Sequence, residues 1–462
     1  MTAWRLLAAP IVALALLVPA ASGAAAPGPG SAGVGDPLFP TAGNGGYRVS
    51  HYGLSLVYHP SEGGAIEAKA VIRARATQQL RSFHLDLHGL KVGEVLVDRT
   101  VSSFRRRGDE LIVTVPEAAI PRGERFVVTV FYSGVPRTYI DPDGSSEGWV
   151  PTKDGAVVVN QPVGAMTVLP VNNHPSDKAT WQVRLNVPIG LAGVSNGRLI
   201  SQSVTERRSL WTWRSSDPMA SYLMTASIGR FRRYTSAAAD GTPILTFVDP
   251  SFNQSAAQKS VETTATVMDW LTEKFGAYPF DTSGAIIDTA QVGYALEVQT
   301  RPYYPSIPSA RLQVHEIAHQ WFGNDVSPST WQHIWLNEGF ATYAEWLWAE
   351  RAAPGRAGVL FRQYYALPAS DSLWRPAPAR PGNAEHMFGD PVYIRGAMAL
   401  HVLRKQVGDD DFYRIARAWV RRYSGADAHT GDLRRLAERV SGEDLVELFR
   451  DWVWTDGKPT GY

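Results

Sequence analysis

Apolar and polar positions alternate with a period of two through the first half of the chain. In "AIEAKAVIRARA" the residues Ile66, Ala68, Ala70, Ile72 and Ala74 share one face, and "TWQVRLNV" and "RFVVTVFY" repeat the pattern. These runs are short and are separated by clusters of Gly, Pro and Asp, which is typical of antiparallel sheets with one buried face. The pattern predicts an N-terminal β domain over residues 47–232.

From about Ser255 the hydrophobic period lengthens to that of helices. The stretch "SAAQKSVETTATVMDWLTEKFG" carries one apolar stripe that includes Val261 and Leu271, and it ends at Gly276. After residue 310 the pattern is almost wholly helical, down to "DLVELFRDWVW". We therefore predict an α+β multidomain protein, in which a mostly helical second domain covers residues 233–462.

The N-terminus has the pattern of a secretory signal. Arg5 precedes an apolar run from Leu6 to Val18, and Ala21 and Gly23 are small residues suited to a cleavage site. We predict a signal peptide over residues 1–23, a secreted protein, and no membrane span in the mature chain. An uncleaved anchor is the alternative, but the run is short for one. Residues 24–46, rich in Gly, Ala and Pro, predict a flexible leader.

Charge and cysteine content exclude several classes of function. The chain has 45 basic and 44 acidic residues, a formal net charge of +1, so we expect no nucleic acid or anionic membrane as the main partner. It contains no cysteine, which excludes disulfides, thiolate metal ligands and a cysteine nucleophile.

The stretch "LQVHEIAHQW" contains the candidate chemistry. Residues four apart share a helix face, so His315 and His319 can bind one metal ion. A catalytic zinc site needs a third ligand, and Glu338 on a second predicted helix is the strongest candidate. Glu316 lies beside the first ligand, where its carboxylate can take a proton from a water.

Two neighbouring residues lie outside this predicted ligand set. Glu345 lies two turns beyond Glu338 on the same helix face. It is either an acceptor for a ligand imidazole or a solvated helix carboxylate. The spacing of His333 fits neither ligand position, and we interpret it as structural.

The stretches "VHEIAHQWFGNDVS" and "WLNEGFATY" resemble the gluzincin zinc aminopeptidases of the aminopeptidase N and leukotriene hydrolase type. The similarity extends to "QVGYALEVQT", "YIRGAMALHVLR", "DPMASYLMTASIGRF" and "TEKFGAYPFD", and it runs from about residue 47 to the end. The resemblance implies a saddle-like β domain followed by a thermolysin-like catalytic domain. It also implies a short form without the large helical C-terminal domain of many relatives.

The resemblance also implies a role for each site residue. His315, His319 and Glu338 would hold one Zn²⁺ per chain, and Glu316 would activate the attacking water. Tyr393 would stabilise the oxyanion. The substrates would be peptides with a free N-terminus. The residues expected to bind them are Glu297, at the α-amino group, Gln161 and Ala295.

Two positions depart from the family pattern. The G-x-M-E-N motif reads Tyr294-Ala295-Leu296-Glu297-Val298 here, with its glycine displaced to Gly293 and no Asn. The lysine usual near the catalytic tyrosine is Arg395. We expect the altered G-x-M-E-N motif to change backbone contacts to the substrate and so its fine preference.

Two other functions share the zinc pattern or the scaffold. A thermolysin-like endopeptidase would use the same metal site without Glu297. A non-catalytic interaction protein on this scaffold would be expected to lose ligands or the base, and all of these residues are present.

Overall fold

The computed structural model describes Met1, residues 28–116 and residues 118–461. Apart from Met1, the predicted signal peptide lies outside the described residues. None of the helices in the described part is long and apolar enough to cross a membrane.

The first half of the chain is built from strands joined by short connections. In chain order they are β1 (Gly28–Pro29), β2 (Tyr47–His59), β3 (Ala65–Ala76), β4 (Leu80–Asp86), β5 (Lys91–Val97), β6 (Thr100–Val101), β7 (Phe104–Arg107), β8 (Glu110–Thr114), β9 (Arg125–Gly134), β10 (Thr138–Ile140), β11 (Ser146–Pro151), β12 (Ala156–Val159), β13 (Ala179–Pro188), β14 (Ala192–Ser195), β15 (Arg198–Val204), β16 (Arg208–Met219) and β17 (Ala226–Gly229).

The second half is mostly helical after a few strands. Its elements are β18 (Arg232–Ala237), β19 (Pro243–Val248), α1 (Gln254–Phe275), β20 (Ser283–Ile287), β21 (Tyr303–Tyr304), α2 (Ala310–Ala318), β22 (Ser327–Pro328), α3 (Trp335–Ala349), α4 (Arg356–Tyr365), α5 (Gly396–Val407), α6 (Asp409–Tyr423), β23 (Asp427–Ala428), α7 (Thr430–Ser441) and α8 (Val446–Phe449).

An eight-stranded sheet dominates the first domain, in the order β15-β16-β13-β2-β3-β9-β5-β6. Only the β13–β2 pair within it is parallel. The alternation seen in the sequence is confirmed, because Ile66, Ala68, Ala70 and Ile72 on β3 are buried, whereas the alternating residues Glu67, Lys69 and Arg73 are exposed. Tyr52 and Trp181 stack in the core behind the sheet, with ring centroids 4.2 Å apart.

Two smaller sheets complete the first domain, in the orders β1-β4-β8-β7 and β10-β11-β12-β17-β14. The second of these brings the end of β12, and with it Gln161, towards the other domain. That domain starts with the sheet β18-β19-β20-β21, and its helices follow. The predicted α+β multidomain class is therefore confirmed.

The predicted flexible leader is wrong for residues 28–46. Gly28 and Pro29 pair with β4, and Phe39 packs edge-on against Trp331 of the second domain. The buried carboxylate of Asp36 accepts hydrogen bonds from the backbone N–H of Trp331, at 2.8 Å, and from His174. A Gly- and Ala-rich composition lacks core formers, but a few anchoring contacts are enough to order the segment.

Buried hydrogen bonds join the two domains. Lys178 Nζ donates to the carbonyls of Asn324 and Asp325 at 2.9 and 2.7 Å, at the end of the segment that follows α2. The buried guanidinium of Arg301 donates to Gly197 O at 2.6 Å. Because these donors are buried with their acceptors, separating the domains would leave several polar groups unpaired.

Candidate metal centre

Helix α2 begins at a capped N-terminus and presents both histidines to the interior. The side chain of Ser309 accepts a hydrogen bond from Leu312 N, which satisfies one free N–H of the first turn. His315 lies on the helix and His319 is its C-terminal cap residue, and both are buried. The predicted pair therefore shares one helix face.

Glu338 brings the third ligand between the two imidazoles. Its Oε2 lies 3.3 Å from His315 Nε2 and 3.4 Å from His319 Nε2. Tetrahedral ligands about 2.0–2.1 Å from a zinc ion are separated by about 3.3 Å from one another. Both distances from Glu338 therefore match the spacing of zinc ligands, and the ligand atoms of all three residues lie within 4.8 Å of one another.

The other nitrogen of each imidazole is held by a separate acceptor. His315 Nδ1–H donates to Glu345 Oε1 at 2.7 Å, and His319 Nδ1–H donates to the carbonyl of Phe322 at 3.1 Å. Arg311 in turn donates to Glu345. These contacts orient both rings so that each Nε2 faces the carboxylate of Glu338. The structure therefore supports the first interpretation of Glu345, in which its carboxylate accepts a hydrogen bond from a ligand imidazole.

The charges around this centre favour a cation. Burial alone would lower the pKa of His319, but the carboxylates of Glu338 and Glu297 outweigh it and raise that pKa to about 9. Burial would raise the pKa of Glu338, whereas His319 and His315 lower it to about 2. A buried group of carboxylates and imidazoles is costly unless positive charge balances it, and a divalent metal ion supplies that charge.

A close helix contact sets the position of Glu338. A Cβ on Gly339, the next residue of α3, would come within 3.1 Å of the backbone of Gly396 at the start of α5. Such a Cβ contact would be tighter than most, so glycine at both positions favours this close approach of the two helices. The contact brings the start of α3, with Glu338, next to the segment before α5, which carries Tyr393.

Glu316 and Glu297 complete the carboxylate cluster. Ligand atoms of Glu297, Glu316 and His319 all lie within 4.8 Å of one another. Burial raises the pKa of Glu316 to about 7, against the opposing effect of His315 and His319. A carboxylate beside the metal ligands is thus available to exchange a proton.

Glu297 is positioned by residues from both domains. Gln161 Nε2 donates to Glu297 Oε1 at 2.7 Å, and the backbone carbonyl of Glu297 accepts from Asn324 Nδ2 at 2.6 Å and Gln320 Nε2 at 3.2 Å. The structure therefore brings the predicted Gln161 and Glu297 together. Ala295 instead packs its side chain against a small separate apolar cluster.

Tyr393 lies over the metal ligands in a π-helical turn, Pro391–Arg395. Its ring is nearly parallel to that of His315, with centroids 6.1 Å apart. Burial, followed by the charges of Glu338 and Glu297, raises the pKa of Tyr393 well above its usual value. The hydroxyl therefore stays protonated and can donate a hydrogen bond.

Two further predicted residues have structural contacts. Arg395 is buried and donates to backbone carbonyls, including those of Trp452 at 3.0 Å and Trp374 at 2.7 Å. His333 Nδ1 contacts Thr430 Oγ1 at 3.0 Å. Neither belongs to the ligand set.

Sequence reasoning missed the residues that hold the site from behind. Arg311 and the pair Gln320 and Asn324 contact Glu345 and Glu297 across long sequence separations. The only signal for them was their position within or near "HEIAHQW", which does not say where a side chain points.

Fold and site together define a two-domain gluzincin metallopeptidase scaffold. The family model described as "Peptidase M1 N-terminal domain" matches residues 49–223, and the model described as "Peptidase family M1 domain" matches residues 306–452. The chain belongs to the M1 peptidase family, and this membership implies one zinc ion, which the ligand spacing fits.

Curated relatives of this chain are much longer. Aminopeptidase M1-D of Oryza sativa subsp. japonica is 26% identical over 333 residues, which cover 67% of this chain and 38% of that protein. Glutamyl aminopeptidase of Rattus norvegicus is 25% identical over 356 residues, covering 71% of this chain and 36% of that protein. The chain thus spans less than half the length of these relatives.

Solved structures of similar size also match. The M1 zinc metallopeptidase of Deinococcus radiodurans is 28% identical with a TM-score of 0.83, covering 93% of this chain and 100% of that chain. A mutant of that protein bound to a Tyr-Ser-Ala substrate gives the same TM-score of 0.83 and covers 99% of its chain. The two-domain arrangement therefore occurs in a solved M1 metallopeptidase.

The Glu345 contact generates a testable prediction. Glu345→Gln removes the charged acceptor of His315 Nδ1–H, so zinc affinity should fall by about 10- to 100-fold. Competition with a chromogenic chelator measures this change. The matched control is Glu350→Gln, just beyond the same helix, whose partner is Arg404. Equal zinc affinity in both variants would show that Glu345 does not support the metal site.

Proposed function

We propose that this protein is a zinc-dependent aminopeptidase that removes the N-terminal residue from peptides. The observation that carries the proposal is the position of the buried Glu297. Its carboxylate lies within 4.8 Å of the ligand atoms of Glu316 and His319, and it accepts a hydrogen bond from Gln161 of the other domain. A carboxylate there suits the positive α-amino group of a substrate. An endopeptidase has no need of such a group beside the metal.

Each residue has a separate part in the proposed reaction. His315, His319 and Glu338 would hold the zinc ion, which would polarise the scissile carbonyl and make water a stronger acid. Glu316 takes a proton from the attacking water and passes it to the leaving amine.

Two different residues bind the substrate N-terminus and the oxyanion in the proposed reaction. Glu297 binds the α-ammonium group, and its fixed backbone carbonyl keeps the carboxylate in place. The hydroxyl of Tyr393 has no hydrogen-bond partner among the described residues, so it is free to donate to the oxyanion that develops on the carbonyl. Ala295 lies two residues before Glu297, where its backbone rather than its side chain would contact substrate.

Glu316 is tested by an isosteric change. Glu316→Gln keeps the shape of the side chain but cannot accept the proton, so kcat for aminoacyl-arylamides should fall by about 10²- to 10⁴-fold. Zinc content, measured by mass spectrometry of the metal, should stay at one ion per chain. The control is Glu273→Gln on α1, an exposed carboxylate. Activity retained in Glu316→Gln would refute its role as the base.

Substitution of Glu297 distinguishes an aminopeptidase from an endopeptidase. Glu297→Ala should lower kcat/KM for peptides with a free N-terminus by at least about 100-fold, because a buried partner of the ammonium group is lost. The wild-type protein should also leave N-acetylated peptides uncut. Equal cleavage of acetylated and free peptides would favour an endopeptidase, while zinc loss would point to damage at the metal centre instead.

We also propose that the protein is exported. The support is sequence alone: Arg5, the apolar run from Leu6 to Val18, and the small residues Ala21 and Gly23. N-terminal sequencing of the protein from culture medium should start at Ala24. Recovery only in the cell fraction with Met1 retained would contradict export.

A further inference from the structure

The solvent-facing side of the eight-stranded sheet carries a cluster of cations that the proposed reaction does not use. We call Lys69, Arg73, Arg184, Arg198 and Arg214 the cationic band. They come from four strands, β3, β13, β16 and β15, and they are exposed.

The strand register places the whole band on one face. Gln182 is opposite Arg214 on β16 and opposite Gly53 on β2. Gly53 is in turn opposite Val71 on β3. Directly opposed residues share a face, as do residues two apart along a strand. Lys69 and Arg73 flank Val71, and Arg184 is two residues beyond Gln182. Arg198 completes the row, because it is opposite Arg214.

The charges of the band are not neutralised by the protein. Among the described residues, none of its five members forms an ion pair, and Lys69 makes only a cation–π contact with Phe131. Glu67, two residues before Lys69, is the nearest carboxylate along β3, and it lies 4.0 Å from His59 instead. The pKa of His51 is lowered by burial and then by the charges of Arg73 and Arg214. The positive charges of Arg73 on β3 and Arg214 on β16 therefore both act on His51 of β2.

This arrangement is unfavourable for the isolated fold. Arg198 and Arg214 are directly opposed on neighbouring strands, and like charges in that position destabilise a sheet. The formal net charge of the whole chain is only +1, so the positive charge here is concentrated rather than a general excess. A bound anion would remove the repulsion.

A recess lies in the middle of the band. It has a volume of about 200 Å³, and its lining combines the apolar Leu54 and Val71 with polar and basic side chains, including Ser55, Gln182, Lys69, Arg73 and Arg184. Gly53 also lines it, and a Cβ there would meet nothing closer than 3.7 Å. The missing side chain thus leaves room for a ligand group rather than relieving a clash.

We propose that the cationic band binds a linear polyanion whose charges are phosphate groups. The band crosses five neighbouring strands, from β15 to β3, a span of about 19 Å at the usual strand spacing. That length accommodates several monomers of an extended chain, one phosphate of which fits the recess. Arginine is suited to phosphate oxygens because its guanidinium binds two of them at once.

Salt-dependent binding tests the proposal. The triple variant Arg73→Ala, Arg184→Ala and Arg214→Ala is compared with a matched control, Arg105→Ala, Arg356→Ala and Arg421→Ala, which removes three exposed arginines from other surfaces. A fluorescent single-stranded oligonucleotide is the probe, and inorganic polyphosphate is the competitor. Hydrolysis of aminoacyl-arylamides should be the same in both variants, because neither set contacts the metal centre.

The band variant should bind the oligonucleotide at least about tenfold more weakly than the control. The slope of log K against log salt should fall by about two, since each lost phosphate contact accounts for about 0.7. Displacement by polyphosphate would assign the site to phosphate chains in general, and no displacement would restrict it to nucleic acid; both support the proposal. Equal binding by the two triple variants, or binding only to vesicles that contain phosphatidylserine, would overturn it.

Discussion

The carboxylate of Glu338 lies between two buried imidazoles, and the rest of the site depends on this arrangement. Its oxygen is 3.3 and 3.4 Å from the two Nε2 atoms, while Glu345 and the carbonyl of Phe322 hold each ring from behind. In a buried setting such charged groups are stable only when they are close together and fully hydrogen-bonded. That need ties α2, α3 and the turn between them together, and Glu316 lies on α2. Tyr393 lies on the separate segment before α5, which packs against α3.

The second requirement is that the two domains stay docked. Gln161 belongs to the β domain and Glu297 to the catalytic domain, yet they share a hydrogen bond of 2.7 Å. Lys178 and Arg301 fasten the same interface through backbone carbonyls. The proposed recognition of a substrate N-terminus is therefore a property of the interface, and neither domain alone would hold the carboxylate and its amide partner together.

Much of the fold could be predicted from local patterns. The period of two in β3 predicted a half-buried strand, and the stripe that ends at Gly276 predicted α1, because side-chain periodicity follows directly from backbone geometry. The prediction of a flexible leader was wrong for residues 28–46. Residues 28–46 have few core formers, but Asp36 and Phe39 anchor them to His174 and Trp331, and composition cannot show contacts with residues so distant in the chain.

The candidate site, like the fold, could be predicted from the sequence only in part. The sequence by itself determined the ligand types and their order, since His315 and His319 must share a helix face and Glu316 must lie beside them. Only the tertiary structure decided which side chains surround them: Arg311 behind Glu345, Asn324 behind Glu297, and the glycine contact between α3 and α5. The concentration of positive charge on the sheet was equally hidden, because net charge averages over the chain whereas strand register decides which charges meet. Spacing along a helix is local geometry, but contacts between elements depend on how the whole chain packs.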